Sequence, residues 1–322
     1  MSERTVLVIR LSAMGDIIHA LPAAASLKRS FPDFRLAWLI APVWMPLLEG
    51  NPYIDELIPF HRHGLRNLRN SWTRLRRLAP DLAIDFQGLV QSALAGRVAQ
   101  PKQFYGFDAS VARESLASMF YSDRVCANGP HRIQRNLQLI QAAGAAGEMH
   151  EAWLPSGEDE GRLPSGPFVL TSPFAGWGSK QWPLENYELL GRRLNSEGLE
   201  LVANVAEHRK CELDRLKHIR VHTSTIPGLI AATRRCTAVT GVDSGPLHLA
   251  AALHKPGVAL YGPTDPARTG PYGGTIRVLR AEDTKTTYER HGKVHPSMNA
   301  FTIDQVAETL LQSIASHVLS RS

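Results

Sequence analysis

The chain has 322 residues, 43% of them hydrophobic and 20% charged, a balance that excludes a disordered or fibrous protein. That length exceeds what a single core usually fills, so two domains of similar size are expected. With 36 Lys and Arg against 30 Asp and Glu the formal net charge is +6, which favours an anionic partner: nucleic acid, nucleotide or a membrane surface.

No apolar run reaches the length that crosses a bilayer, and the N-terminus MSERTVLVIRLSAMGD lacks the layout of a secretory signal, so a cytoplasmic protein is expected. Cys126, Cys211 and Cys236 lie far apart without paired spacing, which argues against a disulfide framework and against a zinc site.

The first elements are the strand RTVLVIR, a helix after Asp16 and the strand RLAWLI at 35–40. Residues 61–77, HRHGLRNLRNSWTRLRR, follow as an amphipathic helix with six arginines and no acid. Leu65, Leu68, Trp72 and Leu75 recur at helical spacing and are expected to face the core, with Arg62, Arg66, Arg69 and Arg76 along another face. That face reads equally as an anion-binding surface or as an ordinary solvated one; nucleic acid is disfavoured, because no aromatic residues or reader motif accompany the arginines. His61 and His63 have no further ligand beside them and read as surface residues.

A strand DLAIDFQ at 81–87 completes the alternation of a parallel, doubly wound α/β sheet. The Gly-, Pro- and acid-rich stretch at 150–167 then marks a domain boundary, giving domains 1–155 and 156–322. The pattern restarts with the strand FVLTS, a helix from about Glu185 to Leu194, the strand LELVANV, a helix from Glu207 and a helix at IPGLIAATRR. TAVTGV, a helix through LHLAAAL, GVALYG and an amphipathic helix from Ile303 to Leu319 close the chain. Two tandem Rossmann-like domains are therefore expected, with an interdomain cleft at the carboxyl ends of their strands.

Three loops at strand ends carry candidate chemistry. In RLSAMGDIIHALPA, Gly15 permits close approach of a ligand and Asp16 sits in the first turn of a helix, either as its cap or as a reactive carboxylate. The absence of G-x-G-x-x-G argues against a dinucleotide held in the usual way. In GVDSGPLHLAAAL, Asp243, Ser244 and Gly245 form a turn into a helix that can receive a phosphate, with His248 one turn on. In SPFAGWGSKQWP, small residues including Gly176 admit a diphosphate and Lys180 can neutralise charge on a departing phosphate. Glu207, directly after a strand, reads as a ribose ligand or as a helix cap.

Taken together, SAMGDIIHALPA, GSKQWP, AEH, GVDSGPLHLAAAL and YGPTDPARTGPYG, in this order across residues 12–273, resemble glycosyltransferase family 9, the ADP-heptose:lipopolysaccharide heptosyltransferases. The HALP ending of the first motif and the TDP…YG segment are most similar to the heptosyltransferase I branch, which adds the first heptose to the Kdo inner core. The resemblance implies a glycosyltransferase B-type fold and inverting transfer that needs no metal or other cofactor, with ADP-heptose as donor. It implies Asp16 as catalytic base and Lys180 as the group that stabilises departing ADP. Glu207 then lies near the ribose, Asp243 near the donor sugar, and Gly245 with His248 in the diphosphate turn, beside Gly15, Gly176 and Ser244. Arg62, Arg66 and Arg69 would meet the acceptor, the lipopolysaccharide inner core, at the inner face of the inner membrane, where the protein would act as a peripheral monomer. Ala13, Phe174 and Ala175 depart from the branch, standing where hydroxyl-bearing residues are expected. The alternatives are a family member using another nucleotide sugar or core acceptor, and a non-catalytic nucleotide-sugar- or glycan-binding module of the same fold.

Overall fold

Apolar runs buried on both faces make parallel strands, and this chain has two sets of them. The computed structural model describes residues 4–61, 65–148, 152–281, 284–289 and 292–320, with the side chains of 65–68 outside that set. The chain divides into two units, Met1–Pro155 and Ser156–Ser322.

The first unit contains β1 (Thr5–Ile9), β2 (Arg35–Ile40), β3 (Glu56–Pro59), β4 (Leu82–Asp85), β5 (Gln103–Phe107) and β6 (Asp123–Val125). They form one parallel sheet in the order β3-β2-β1-β4-β5-β6. Its helices are α1 (Met14–Ile18), α2 (Leu21–Ser30), α3 (Leu65–Leu78), α4 (Val90–Val98) and α5 (Arg132–Ala142). Leu7, Ile9, Leu39, Ile58, Ala83 and Phe104 lie at the centre of its core.

The second unit repeats the design with β7 (Phe168–Ser172), β8 (Glu200–Val205), β9 (Arg220–Thr223), β10 (Ala238–Val242), β11 (Gly257–Tyr261) and β12 (Ile276–Arg280). Its order, β12-β11-β10-β7-β8-β9, is that of the first sheet read from the other side. Here the helices are α6 (Leu184–Asn195), α7 (Ile226–Arg235), α8 (Gly245–Ala252), α9 (Pro266–Thr269) and α10 (Ile303–Leu319). α10 is started by Thr302, whose hydroxyl accepts from the Gln305 amide at 3.2 Å, and it buries Val306, Ala307, Leu310 and Ser313 along one face.

In each sheet the winding reverses between two central strands, β1 beside β4 and β7 beside β10. Such a switch point leaves a crevice at the carboxyl ends of the two strands. The loops carrying Asp16, Lys180 and Asp243 begin at three of those four ends, after β1, β7 and β10.

Two expectations are corrected. On α3, Leu75 is buried but Trp72 is 37% exposed, and Ser71 is the residue turned inward with it. Ser71 and Leu75 share a face four residues apart, and the small serine admits a close approach that the indole would block. The segment from Glu207 to Leu213 is a 3-10 helix rather than an α-helix. Arg62 and His63 lie outside the described residues, and so does the side chain of Arg66. Arg69 is exposed, as is His61.

Candidate active site

In the first unit Asp16 is the third residue of α1, and it does not cap that helix. The cap position is Ala13, extended and without a side-chain bond, so the carboxylate is left for other partners. It has two, one at each oxygen. Arg10, immediately after β1, reaches Oδ2 through Nη2, and Arg132, the first residue of α5, lies with Nη1 3.1 Å from Oδ1. Burial alone would raise the Asp16 carboxyl, but Arg10, Arg132, His19 and Arg113 outweigh it and hold it well below the usual carboxylate range. Asp16 is therefore an anion at every physiological pH.

Arg10 itself is fully enclosed. Burial draws its guanidinium down to about 10, against the pull of Asp16 and Asp85. Its Nη1 donates to the Phe86 carbonyl, which follows β4. The next residue on that side, Gln87, accepts from the amides of Leu11 at 2.9 Å and Ser12 at 3.3 Å through Oε1. The loop that presents Asp16 is thus held by the loop after β4. That second loop is tied in turn by Asp85, which accepts from Gln87 N, Gly88 N, Ser92 Oγ and Tyr121 OH. Gly88 has φ +66, and a Cβ there would sit 3.3 Å from the Arg113 amide, so the turn both needs and uses glycine.

In the second unit Lys180 and Asp243 meet. Lys180 lies in a 3-10 turn, Gly178–Lys180, after β7, and Asp243 follows β10. Lys180 Nζ donates to Asp243 Oδ2 at 2.5 Å and rests 4.2 Å above the Trp177 ring. His248 Nε2, one turn into α8, is 3.4 Å from Asp243 Oδ1. The Tyr261 hydroxyl lies 3.5 Å from the same oxygen and 3.1 Å from the Thr269 carbonyl. Burial would raise Asp243; the bond to His248 and the charge of Lys180 hold it well below the usual range instead.

The other expected donor residues surround this cluster less tightly. Ser244 is the N-cap of α8 and its side chain makes no cap bond; Gly245 and Pro246 follow it into the helix. Gly176 is exposed, with open space where a Cβ would be. Glu207 stands exposed at the start of its 3-10 helix. Phe174, one of the departures in the phosphate loop, is covered by the Arg209 guanidinium 3.4 Å from its ring centre. The charged stretch before α10 also attaches here: the His295 amide donates to Ser179 O at 3.1 Å and the Thr287 amide to Pro263 O at 2.8 Å.

Arg10, Gln87, Arg132 and Tyr261 were not among the residues expected from the sequence. Two carry a usable signal. Arg10 is a charge closing an otherwise apolar parallel strand, and Arg132 is a cation at a helix N-terminus, where the helix dipole disfavours it.

Two such units with charged clusters at their switch points place the protein among α/β proteins that bind ligands at the carboxyl ends of their strands. Residues 68–297 match the family model of glycosyltransferase family 9 (heptosyltransferase), and the chain belongs to that family. It is 31% identical over 294 residues to lipopolysaccharide heptosyltransferase 1 of Pseudomonas aeruginosa, covering 83% of this chain and 81% of that protein. Among solved structures it is similar to an E. coli heptosyltransferase with ADP, at TM-score 0.76 and 24% identity, covering 96% of this chain and 99% of the other. It is also similar to E. coli ADP-heptose lipopolysaccharide heptosyltransferase II, at TM-score 0.80 and 23% identity, covering 97% and 99%. The protein is a glycosyltransferase with the fold of these enzymes.

Proposed function

We propose that the protein transfers heptose from ADP-heptose to the Kdo inner core of lipopolysaccharide, with inversion at the anomeric carbon and without a metal. The observation that carries this reading is the state of Asp16: a carboxylate at a switch point, ionised, a fifth exposed and not engaged in capping its helix. A helix cap needs no such environment. The 31% identity to a heptosyltransferase 1 supports the choice of donor and of the first heptose.

In this reading the first unit serves the acceptor and the second the donor. Asp16 takes the proton from the acceptor hydroxyl as that oxygen attacks the anomeric carbon. The bond to the diphosphate breaks on the opposite side, and ADP leaves with its electron pair. Lys180 neutralises the charge that grows on the leaving phosphate. Asp243 keeps Lys180 and His248 together, while Gly15, Gly176, Ser244 and Gly245 allow close approach and Glu207 meets the ribose. Lys180 takes the place a metal ion would otherwise have beside the diphosphate. Arg62, Arg66 and Arg69 bind the anionic core. In this reading the protein acts as a peripheral monomer at the cytoplasmic face; no helix among the described residues is long and apolar enough to cross a membrane.

The test is transfer from ADP-heptose to a Kdo-bearing lipid A acceptor with EDTA present, followed by assignment of the new linkage by NMR. An inverted linkage formed at full rate in EDTA supports the reading. Retention, dependence on added metal, or turnover only with another nucleotide sugar overturns it.

A further inference from the structure

The two arginines on Asp16 are not equivalent, and the difference suggests how the base is used. Arg10 is buried, its side chain 2% exposed, and bonded at its other end to the Phe86 carbonyl. Nothing there can move without breaking the loop. Arg132 is 25% exposed and reaches Asp16 from the first residue of α5. Its backbone is fixed by the residue before it: His131 Nδ1 accepts from the Ile133 amide at 3.2 Å, and Gln134 Oε1 accepts from the His131 amide at 3.1 Å. A long flexible side chain thus extends from a rigid root.

Helix stability does not explain the arginine there. A cation in the first turn opposes the helix dipole, and α5 has no acid in that turn to offset it. The contact instead places a guanidinium on the oxygen that Arg10 leaves available. A carboxylate so paired is a poor proton acceptor, since two guanidinium charges stabilise the anion that would have to take up the proton.

We propose that Arg132 is a displaceable clamp on the catalytic base, drawn off Asp16 Oδ1 by an acid group of the acceptor next to the hydroxyl that attacks. This rests on the reading of Asp16 as base and of the acceptor as a sugar acid, whose carboxylate can compete for one guanidinium in a two-pronged, charge-assisted contact. When the acceptor carboxylate takes Arg132, Oδ1 is freed and the hydroxyl proton moves to it, while the oxygen bonds to the anomeric carbon and ADP departs. An empty site keeps its base neutralised. The charged and titratable groups that act most on Asp16 are Arg10 from the end of β1, Arg132 from α5, His19 after α1 and Arg113 from the loop after β5, with the His131 ring 5.1 Å from that of His19. Arg132 is the one whose guanidinium lies against Oδ1 at 3.1 Å.

The experiment compares two acceptors, the Kdo-bearing one and its Kdo methyl ester, in the intact protein and in Arg132→Met and Arg132→Lys. The intact protein should use the ester less well by roughly 10- to 100-fold in kcat/KM, the range expected for losing a charge-assisted hydrogen bond. In Arg132→Met that ratio should collapse toward one, with ester turnover faster than in the intact protein; Arg132→Lys should fall between. A ratio unchanged in Arg132→Met overturns the proposal, including the case in which both acceptors slow by the same factor, as a purely structural role would give. If the intact protein transfers to neither acceptor, the proposed function fails, and the clamp is read separately from the carbon-13 resonance of the Asp16 carboxyl. Adding Kdo should move its titration to higher pH, and Arg132→Met should show the higher titration without Kdo. A titration moved by neither overturns the clamp.

Discussion

Arg10 and Asp16 form an ion pair whose guanidinium side is 2% exposed and whose carboxylate side is 21% exposed. The asymmetry decides how Asp16 can be tested. Asp16→Ala removes the base and also strands a buried cation, at a cost of about 2–4 kcal/mol, below the loss for a wholly buried pair because water reaches the vacated place. Asp16→Asn keeps an oxygen for Arg10 and should cost about half as much or less. Urea unfolding of the two variants beside the intact protein checks this; stabilities equal to that of the intact protein would mean that the pair contributes nothing to the fold.

Gln87 accepts from two backbone amides of the loop that carries Asp16, so Gln87→Leu leaves both without their acceptor. The expected loss is about 2–4 kcal/mol, with kcat reduced and ADP affinity unchanged, because the second unit is untouched. Gln87→Glu retains the acceptor oxygen and should recover most of the stability. A variant that weakens ADP binding as much as it lowers kcat would contradict the separation of roles.

Lys180 is the cation nearest Asp243, and the proposed role gives it the leaving phosphate as a second partner. Lys180→Met should weaken ADP binding and lower kcat by about 10²–10³, the loss typical of removing one donor from a site of developing charge. Fluorescence titration with ADP and steady-state rates distinguish this from a structural role. Unchanged kinetics would return Lys180 to structural pairing with Asp243.

The acid limb of stability follows from the same carboxylates. Asp16 and Asp243 titrate lower in the folded protein than in the unfolded chain. Their contribution is therefore complete above the unfolded carboxylate range, near pH 4, and is lost as pH falls toward the folded values. Asp85 has the opposite sign. Burial raises it despite its hydrogen bonds, so its contribution is present below the unfolded value and declines as pH rises through the folded one. The urea midpoint of the intact protein should fall from about pH 5 to pH 2, and Asp16→Asn with Asp243→Asn should flatten that fall. Equal slopes would contradict the pairing of both carboxylates.

Much of the fold was legible because central parallel strands are continuous apolar runs: β1, β2, β10 and β11 stand out without reference to anything else. The edge strands did not. β6 has three residues, and β12, with Arg at two of its five positions, is largely exposed, so neither carries a buried-strand pattern. Asp16, Lys180 and Asp243 were legible because each follows a strand and sits beside glycines or small residues. Their partners were not, since Arg10 to Asp16 is a contact across a loop and Arg132 comes from a helix on the far side of the sheet order. Trp72 failed as a core residue for a related reason: periodicity gives a stripe on a helix but not its rotation against the sheet. The cap reading of Asp16 was open in the sequence and is closed by the geometry, which gives that position to Ala13.

The central claim is that Asp16 accepts the acceptor's proton, and the most direct measurement is single-turnover heptosyl transfer by Asp16→Asn beside ADP binding by the same preparation. The expected result is intact ADP affinity and intact folding with transfer reduced by about 10²–10⁴, the usual contribution of a general base. Transfer within a few fold of the intact protein would contradict the account and leave Asp16 as a structural partner of Arg10.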